Sequence, residues 1–257
     1  MIALFGAVRM ELSSITKEMK VIRGTYYRGW RLLEGKFGCK NVLLMQTGMG
    51  KDRAKESAEY VLEQYHPTIV ISLGFCGALV AGLEVGDLVV YRGLSNDNHP
   101  DSNRIHLSHP DLIATANGIM DEKLIHLLIV DSLSVNRLVS DPEEKERLGL
   151  IHRAQVVDME SYWIANIAAR RKIPFLAVRV ISDSMSERLP PFDHFLGRGG
   201  EMLWGKALQH FVLKPVDLMG LVQMYGQARL ARESLTEFIR ILVPELPQEI
   251  SDESNIR

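Results

Sequence analysis

Apolar positions along this chain follow two alternating rhythms. Short apolar runs stand at 2–5, 42–46, 68–73, 124–133 and 175–181, the lengths of strands in a sheet covered on both faces. Between them the apolar spacing widens to three or four residues, which predicts helices over 11–19, 52–65, 111–120, 142–148 and 161–170. A further strand opens at Val85, with Val-Gly-Asp-Leu-Val-Val. Residues 26–37 mix aromatics, basic residues and glycine, as a strand and turn on a sheet edge would. Residues 95–109 are polar and read as a loop or insertion over a site. Strand and helix signals in alternation define an α/β protein. Toward the carboxyl end, 201–211 reads as a helix with Trp204, Leu208 and Phe211 as its buried stripe. A long helical pattern follows over 218–242, broken by Gly220 and Gly226, then an acidic, polar and frayed tail. The expected organisation is a main domain over 1–213, a helical extension over 214–243 and a tail over 244–257.

Chemistry concentrates in the stretch from Val156 to Asp183. A strand end, Val156-Val157, runs into Asp158-Met159-Glu160-Ser161 and a helix. Pro174 blocks continuation of that helix, and Phe175 opens the apolar run that ends at Ser182-Asp183. Carboxylates at strand ends sit where open α/β sheets place their ligands. Taken singly, Glu160 and Asp183 read as well as helix-capping or first-turn acids. Three glycine-bearing turns add to the picture: Gly6-Ala7 ahead of Glu11, Thr47-Gly48-Met49-Gly50, and Gly74-Phe75-Cys76-Gly77-Ala78. Each follows a strand, where small residues let a ligand approach the backbone. The second lacks the spacing of a P-loop or a dinucleotide fingerprint, which argues against ATP or NAD.

Val-Asp-Met-Glu-Ser followed by Val-Arg-Val-Ile-Ser-Asp resembles the nucleoside phosphorylase/nucleosidase superfamily, which includes the methylthioadenosine/S-adenosylhomocysteine nucleosidases. The resemblance covers about 2–184 and extends to the glycine turn at 74–78 with the Leu-x-Val-Gly-Asp-Leu-Val-Val segment after it. It implies a three-layer α/β/α fold with a central mixed twisted sheet flanked by helices. It also implies roles. Asp183 would be the acid at purine N7, with Ser182 beside it. Met159 and Glu160 would hold the ribose, and Glu11 would position the attacking water. Gly74, Phe75, Cys76 and Gly77 would lie beside the glycosidic bond, and Leu138 and Val139 would read the base edge. To serve near neutral pH, Asp183 would need its pKa raised by desolvation in a closed pocket. Two departures stand out. Val8-Arg9-Met10 replaces an acidic segment of many relatives, and Phe75 stands where many have serine.

Composition narrows the classes. The chain has 257 residues, 24% of them charged, with a formal net charge of −2. That balance argues against nucleic acid as a partner, and a small-molecule substrate fits it better. No run reaches the length of a membrane span, and no basic leader precedes the first strand, so a cytoplasmic protein is expected. The two cysteines, Cys39 and Cys76, have no metal-like spacing. Cys76 lacks a histidine partner for nucleophilic work. His99, His106 and His109 lack the spacing of a metal pair, so neither metal nor organic cofactor is expected. The family implies at least a homodimer.

Hydrolysis and phosphorolysis are separated by phosphate ligands. In the hexameric purine nucleoside phosphorylases an arginine precedes the glycine turn and a serine lies within it. Here those places are Ser72 and Phe75, which favours hydrolysis, with Arg9 keeping phosphorolysis open. The Leu-Pro-Pro after Asp183 and the long basic-apolar extension also resemble the hopanoid-associated phosphorylase branch, whose substrate carries an adenosyl group on a polycyclic lipid. A non-catalytic nucleoside-binding protein is the third reading, against which the presence of all three acids argues.

Overall fold

The computed structural model describes residues 1–97, 106–123, 125–189, 216–247 and 250, with the side chains of 216–225 excepted. The expected helix at 201–211, the Pro190-Pro191 segment, His99 and the end of the tail lie outside the described residues, as does the expected boundary at 213.

The described elements run β1 (Ile2–Gly6), α1 (Arg9–Glu18), β2 (Lys20–Tyr27), β3 (Trp30–Phe37), β4 (Lys40–Gln46), α2 (Lys51–Tyr65), β5 (Ile69–Ala78), β6 (Leu88–Asn96), β7 (His106–Leu107), α3 (Pro110–Glu122), β8 (Leu127–Ser134), α4 (Pro142–His152), β9 (Val156–Asp158), α5 (Ser161–Arg170), β10 (Phe175–Asp183) and α6 (Val216–Glu245). The strands form one ten-stranded mixed sheet. One face is covered by α1, α3 and α6 over a core that includes Leu4, Ile71, Val178 and Phe238; the other by α2 and α5 over Phe5, Val70, Ala177 and Trp163. This is the expected three-layer α/β/α arrangement.

Strand β5 organises the sheet. Along one edge its first half pairs in parallel with β1, Ile69 to Ser72 against Ile2 to Phe5. The same edge then takes β9 antiparallel at Gly77 and Ala78. Its other edge pairs with β10 throughout, with Gly77 opposite Asp183. Between Ser72 and Gly77, therefore, β1 has diverged and β9 has not yet arrived. Such a point, outside the carboxyl ends of parallel strands, is where an open α/β sheet leaves a crevice.

Several boundaries differ from expectation for local reasons. Strand β6 starts at Leu88 rather than Val85, because the Asp87 carboxylate accepts from Glu84 N at 2.8 Å and closes a turn first. Strand β2 begins at Lys20, immediately after α1. It is an exposed edge strand in which Val21, Ile22 and Tyr26 all remain exposed, so it carries no inward alternation to read. The polar 95–109 segment is not loop throughout: β6 continues to Asn96, and β7 pairs with Gly93 and Leu94. Helix α6 is continuous through Gly220 and Gly226. Ala231, Leu235, Phe238, Ile239 and Leu242 bury one face of it in the core, which outweighs the roughly 1 kcal/mol that a helical glycine costs. A methyl group added at Gly226 would meet nothing within 4 Å. Gly226→Ala is therefore expected to stabilise the protein by about 0.5–1 kcal/mol, read as a raised midpoint in urea at unchanged slope. Among the described residues, no helix is long and apolar enough to cross a membrane.

Candidate active site

A cleft of about 200 Å³ opens at the β5 crevice. Ala7, Val8 and Glu11 line it from the β1–α1 side, Met49 from the turn after β4, and Phe75, Cys76 and Gly77 from β5. Leu138 and Val139 come from the β8–α4 connection, Met159 and Glu160 from the β9–α5 turn, and Ser182 and Asp183 from the end of β10. The three expected acids are thus brought to one cavity although 172 positions separate Glu11 from Asp183 in sequence (183 minus 11). Of the expected substrate residues, only Gly74 does not line it.

Glu11 stands in the first turn of α1, but its side chain does more than favour the helix dipole. Oε2 accepts from the main-chain N–H groups of Ala7 (2.8 Å) and Val8 (3.0 Å), and Oε1 from that of Phe75 (3.1 Å). The carboxylate therefore bridges the first glycine turn to the third. Burial pushes its pKa upward, outweighing the opposing pull of these hydrogen bonds and of the nearby Arg179 guanidinium. Gly74 explains itself here. A Cβ at that position would lie 2.5 Å from Glu11 Oε1, so its role is to make room for the acid.

Glu160 occupies the N-cap position of α5, yet its side chain makes no capping bond. Instead Oε1 accepts from Gly50 N at 2.7 Å, tying the β9–α5 turn to the turn after β4. Desolvation first, then the negative Asp158 beside it, raises its pKa to about 8. The capping reading of this acid is thereby set aside: Asp158 supplies the local bond, accepting from Ser161 N at 3.4 Å.

Asp183 ends β10. Its Oδ1 lies 2.7 Å from Ser182 Oγ, which is also 3.2 Å from the Cys76 carbonyl. Its Oδ2 accepts from Lys145 Nζ at 2.6 Å. Beside the desolvation expected for this acid, the structure places a fully buried ammonium against it. A Cβ at Gly77 would sit 2.7 Å from Oδ2, so the second glycine of the turn leaves room for this acid as the first does for Glu11. Cys76 is buried, and burial drives its thiol well above the ordinary range, so it has no thiolate to offer.

Beneath the acids lies Arg179, 2% exposed. It donates to Ser72 Oγ (2.9 Å) and to its neighbour's carbonyl at Val178 (2.9 Å), and its Nε forms an ion pair with Asp158 at 3.3 Å. Asp158 is further held by the hydroxyls of Ser134 and Ser161. Among the described residues no group of three His, Cys, Asp or Glu side chains is disposed to hold a metal ion. His106 Nε2 lies 2.9 Å from Asn166 Nδ2.

The sequence reading missed Lys145, Asp158, Arg179, Met49 and Gly50. Arg179 and Asp158 lay inside the diagnostic stretch, and an arginine in an otherwise unbroken buried strand is itself a signal, since such a charge has to be paired. Lys145 carried a fainter one. It falls three and four residues before Leu148 and Gly149, on the buried stripe of an otherwise charged helix.

Comparison with known proteins agrees with this architecture. The sequence profile of the Phosphorylase superfamily matches residues 2–201. The chain belongs to that family. Among curated relatives, a 5'-methylthioadenosine/S-adenosylhomocysteine nucleosidase of Staphylococcus epidermidis is 23% identical over 212 residues, covering 77% of this chain and 93% of that protein. Its counterpart in Baumannia cicadellinicola is 26% identical over 201 residues, covering 71% and 85%. Among solved structures, futalosine hydrolase of Helicobacter pylori superposes with a TM-score of 0.77 at 20% identity, over 95% of this chain and 97% of that one. The nucleosidase of Neisseria meningitidis in complex with methylthio-immucillin-A gives 0.77 at 18% identity, over 95% and 99%. At those identities the superpositions show the fold alone.

Proposed function

We propose that this superfamily member hydrolyses the N-glycosidic bond of an adenosine derivative, such as methylthioadenosine or S-adenosylhomocysteine, and releases adenine. The observation that carries the reading is the convergence of three buried carboxyl groups on one cleft at the β5 crevice. The curated relatives, which bear the nucleosidase name, support it.

The roles follow from position. Breaking the bond sends its electron pair into the purine, which has to be neutralised, while the ribose gains oxocarbenium character. Asp183 delivers a proton to N7 as the bond to N9 breaks. Glu160 and Met159 hold the ribose hydroxyls and ring. Glu11 orients a water molecule and takes its proton as the oxygen joins C1′. Leu138 and Val139 border the base. The apolar side chains of Phe75 and Met159 offer a surface for a 5′ thioether.

Hydrolysis is favoured over phosphorolysis by where the donors go. Main-chain N–H groups at Ala7, Val8 and Phe75 would suit an anion, but all three are given to the Glu11 carboxylate. The Ser72 hydroxyl is engaged by Arg179. A phosphate dianion placed there would face Glu11 with no free cation to offset the repulsion among the cleft residues described; Arg137, at the rim, already pairs with Asp97 and Glu144.

The test is adenine release from methylthioadenosine, S-adenosylhomocysteine and adenosine, with and without inorganic phosphate. Release independent of phosphate is the expected result. An absolute phosphate requirement would make the protein a phosphorylase. No release from any of the three would shift the substrate to a bulkier 5′ group, such as the lipid-linked adenosyl of the hopanoid branch, or leave a binding protein.

A further inference from the structure

We infer that Lys145 is a positioning residue for the leaving-group acid: its ammonium fixes which oxygen of Asp183 carries the proton and remains as counter-charge once that proton has gone to the purine. The inference rests on the proposed nucleosidase reading and names a residue which that reading does not require.

Lys145 comes from the middle of α4 and is fully buried, which a lysine tolerates only when all its donors are used. They are: Nζ donates to Asp183 Oδ2 (2.6 Å), to the Ser184 carbonyl (2.8 Å) and to the Glu187 carbonyl (3.1 Å). The ammonium has three hydrogens and no lone pair. It can therefore only donate to Oδ2, and a protonated Asp183 must carry its hydrogen on Oδ1. Oδ1 is the oxygen beside Ser182 Oγ, at the cleft lining. The two main-chain acceptors belong to the segment directly after the acid, so the same ammonium also pins the end of β10.

The charge balance follows. In the proposed reaction Asp183 enters as the acid, with the ammonium already in contact with its Oδ2. As the bond from C1′ to N9 breaks, the electron pair enters the purine, N7 takes the Oδ1 proton, and a carboxylate forms on Asp183. Without Lys145 that carboxylate would be a lone buried charge. With Lys145 it is one half of an ion pair whose geometry is in place beforehand, so the stabilisation grows as the transition state is approached. An interaction of this kind should appear in kcat more than in KM.

The experiment is a double-mutant cycle of Lys145→Met and Lys145→Gln with Asp183→Asn, measured by adenine release from methylthioadenosine, with folding checked by circular dichroism. In the wild-type background both Lys145 variants are expected to lower kcat about 10- to 100-fold with KM changed by less than about threefold. In the Asp183→Asn background the same substitutions should change kcat less than about threefold, because there is no proton left to position. Lys145→Gln keeps a hydrogen-bond donor without charge, and Lys145→Met in the Asp183→Asn background removes both charges together, so a folded arm of the cycle is retained. An equal loss in both backgrounds would show that Lys145 only holds the 184–187 segment, and no loss in either would dismiss it; both overturn the inference. Wild-type protein that releases no adenine would instead overturn the nucleosidase reading on which the inference stands.

Discussion

Asp183→Asn is expected to lower adenine release from methylthioadenosine by about 10²- to 10⁴-fold, the range that a positioned proton donor contributes. The substitution is nearly isosteric. The amide oxygen can still accept from Lys145, and the place opposite Gly77 is still filled, so the fold and much of the substrate affinity should persist. What disappears is the transferable proton. Without it the electron pair arriving in the purine cannot be neutralised at N7, and the loss falls on kcat. Steady-state turnover at matched protein concentration checks this. A variant within tenfold of wild type would remove Asp183 from the chemistry and, with it, the basis for a purine-directed acid at the end of β10.

Glu160→Gln should move activity and stability in opposite directions. Hydrogen bonds to a sugar hydroxyl that strengthen in an oxocarbenium-like transition state supply several kcal/mol, so kcat/KM is expected to fall by about 10²- to 10³-fold. Stability should rise instead, and the pH dependence gives the sign. Desolvation, with Asp158 adding to it, lifts the folded-state pKa of Glu160 from an ordinary 4.5 to about 8. Between those values the unfolded chain has lost this proton and the folded chain has kept it. The folded state therefore binds more protons, and this group's contribution to stability falls as pH rises from about 4.5 to about 8. Glutamine has no proton to lose, so the variant's advantage should be small at pH 5 and reach at least about 1 kcal/mol at pH 8. Denaturant midpoints at the two pH values measure it. A variant less stable than wild type at pH 8 would mean that the bond from Gly50 to the Glu160 carboxylate outweighs the burial of the acid.

The position of Glu160 shows how a site can be stored where it costs stability. Asp158 accepts from the hydroxyls of Ser134 and Ser161 and is ion-paired with Arg179, while Glu160 has one main-chain donor and a neighbouring negative charge. Active sites characteristically hold such groups, because a satisfied carboxylate would have no lone pairs left for a substrate.

Local sequence alone determined most of the elements. The apolar runs of β1, β4, β5 and β10 and the helical spacing of α2 and α5 are period signals that need no partner, since a strand covered on both faces and an amphipathic helix each write their burial into adjacent residues. The same holds for the α4 start, where Asp141 caps and Pro142 follows, with Asp141 Oδ1 accepting from Glu143 N at 2.9 Å. The candidate acids were legible too, because strand-end carboxylates beside glycine turns form a local pattern. Strand β2 was not legible, since an exposed edge carries no alternation. The persistence of α6 through two glycines was not either, because its stability comes from the core beneath it. Tertiary structure alone decided the electrostatics of the site. Whether Asp183 stands in an apolar pocket or against an ammonium depends on a lysine 38 positions earlier. Whether Gly74 and Gly77 bind a ligand or make room for acids depends on Glu11 and on Asp183 at the end of a neighbouring strand. A local pattern records which face of an element is buried; it does not record which charge from elsewhere in the chain will be buried against it.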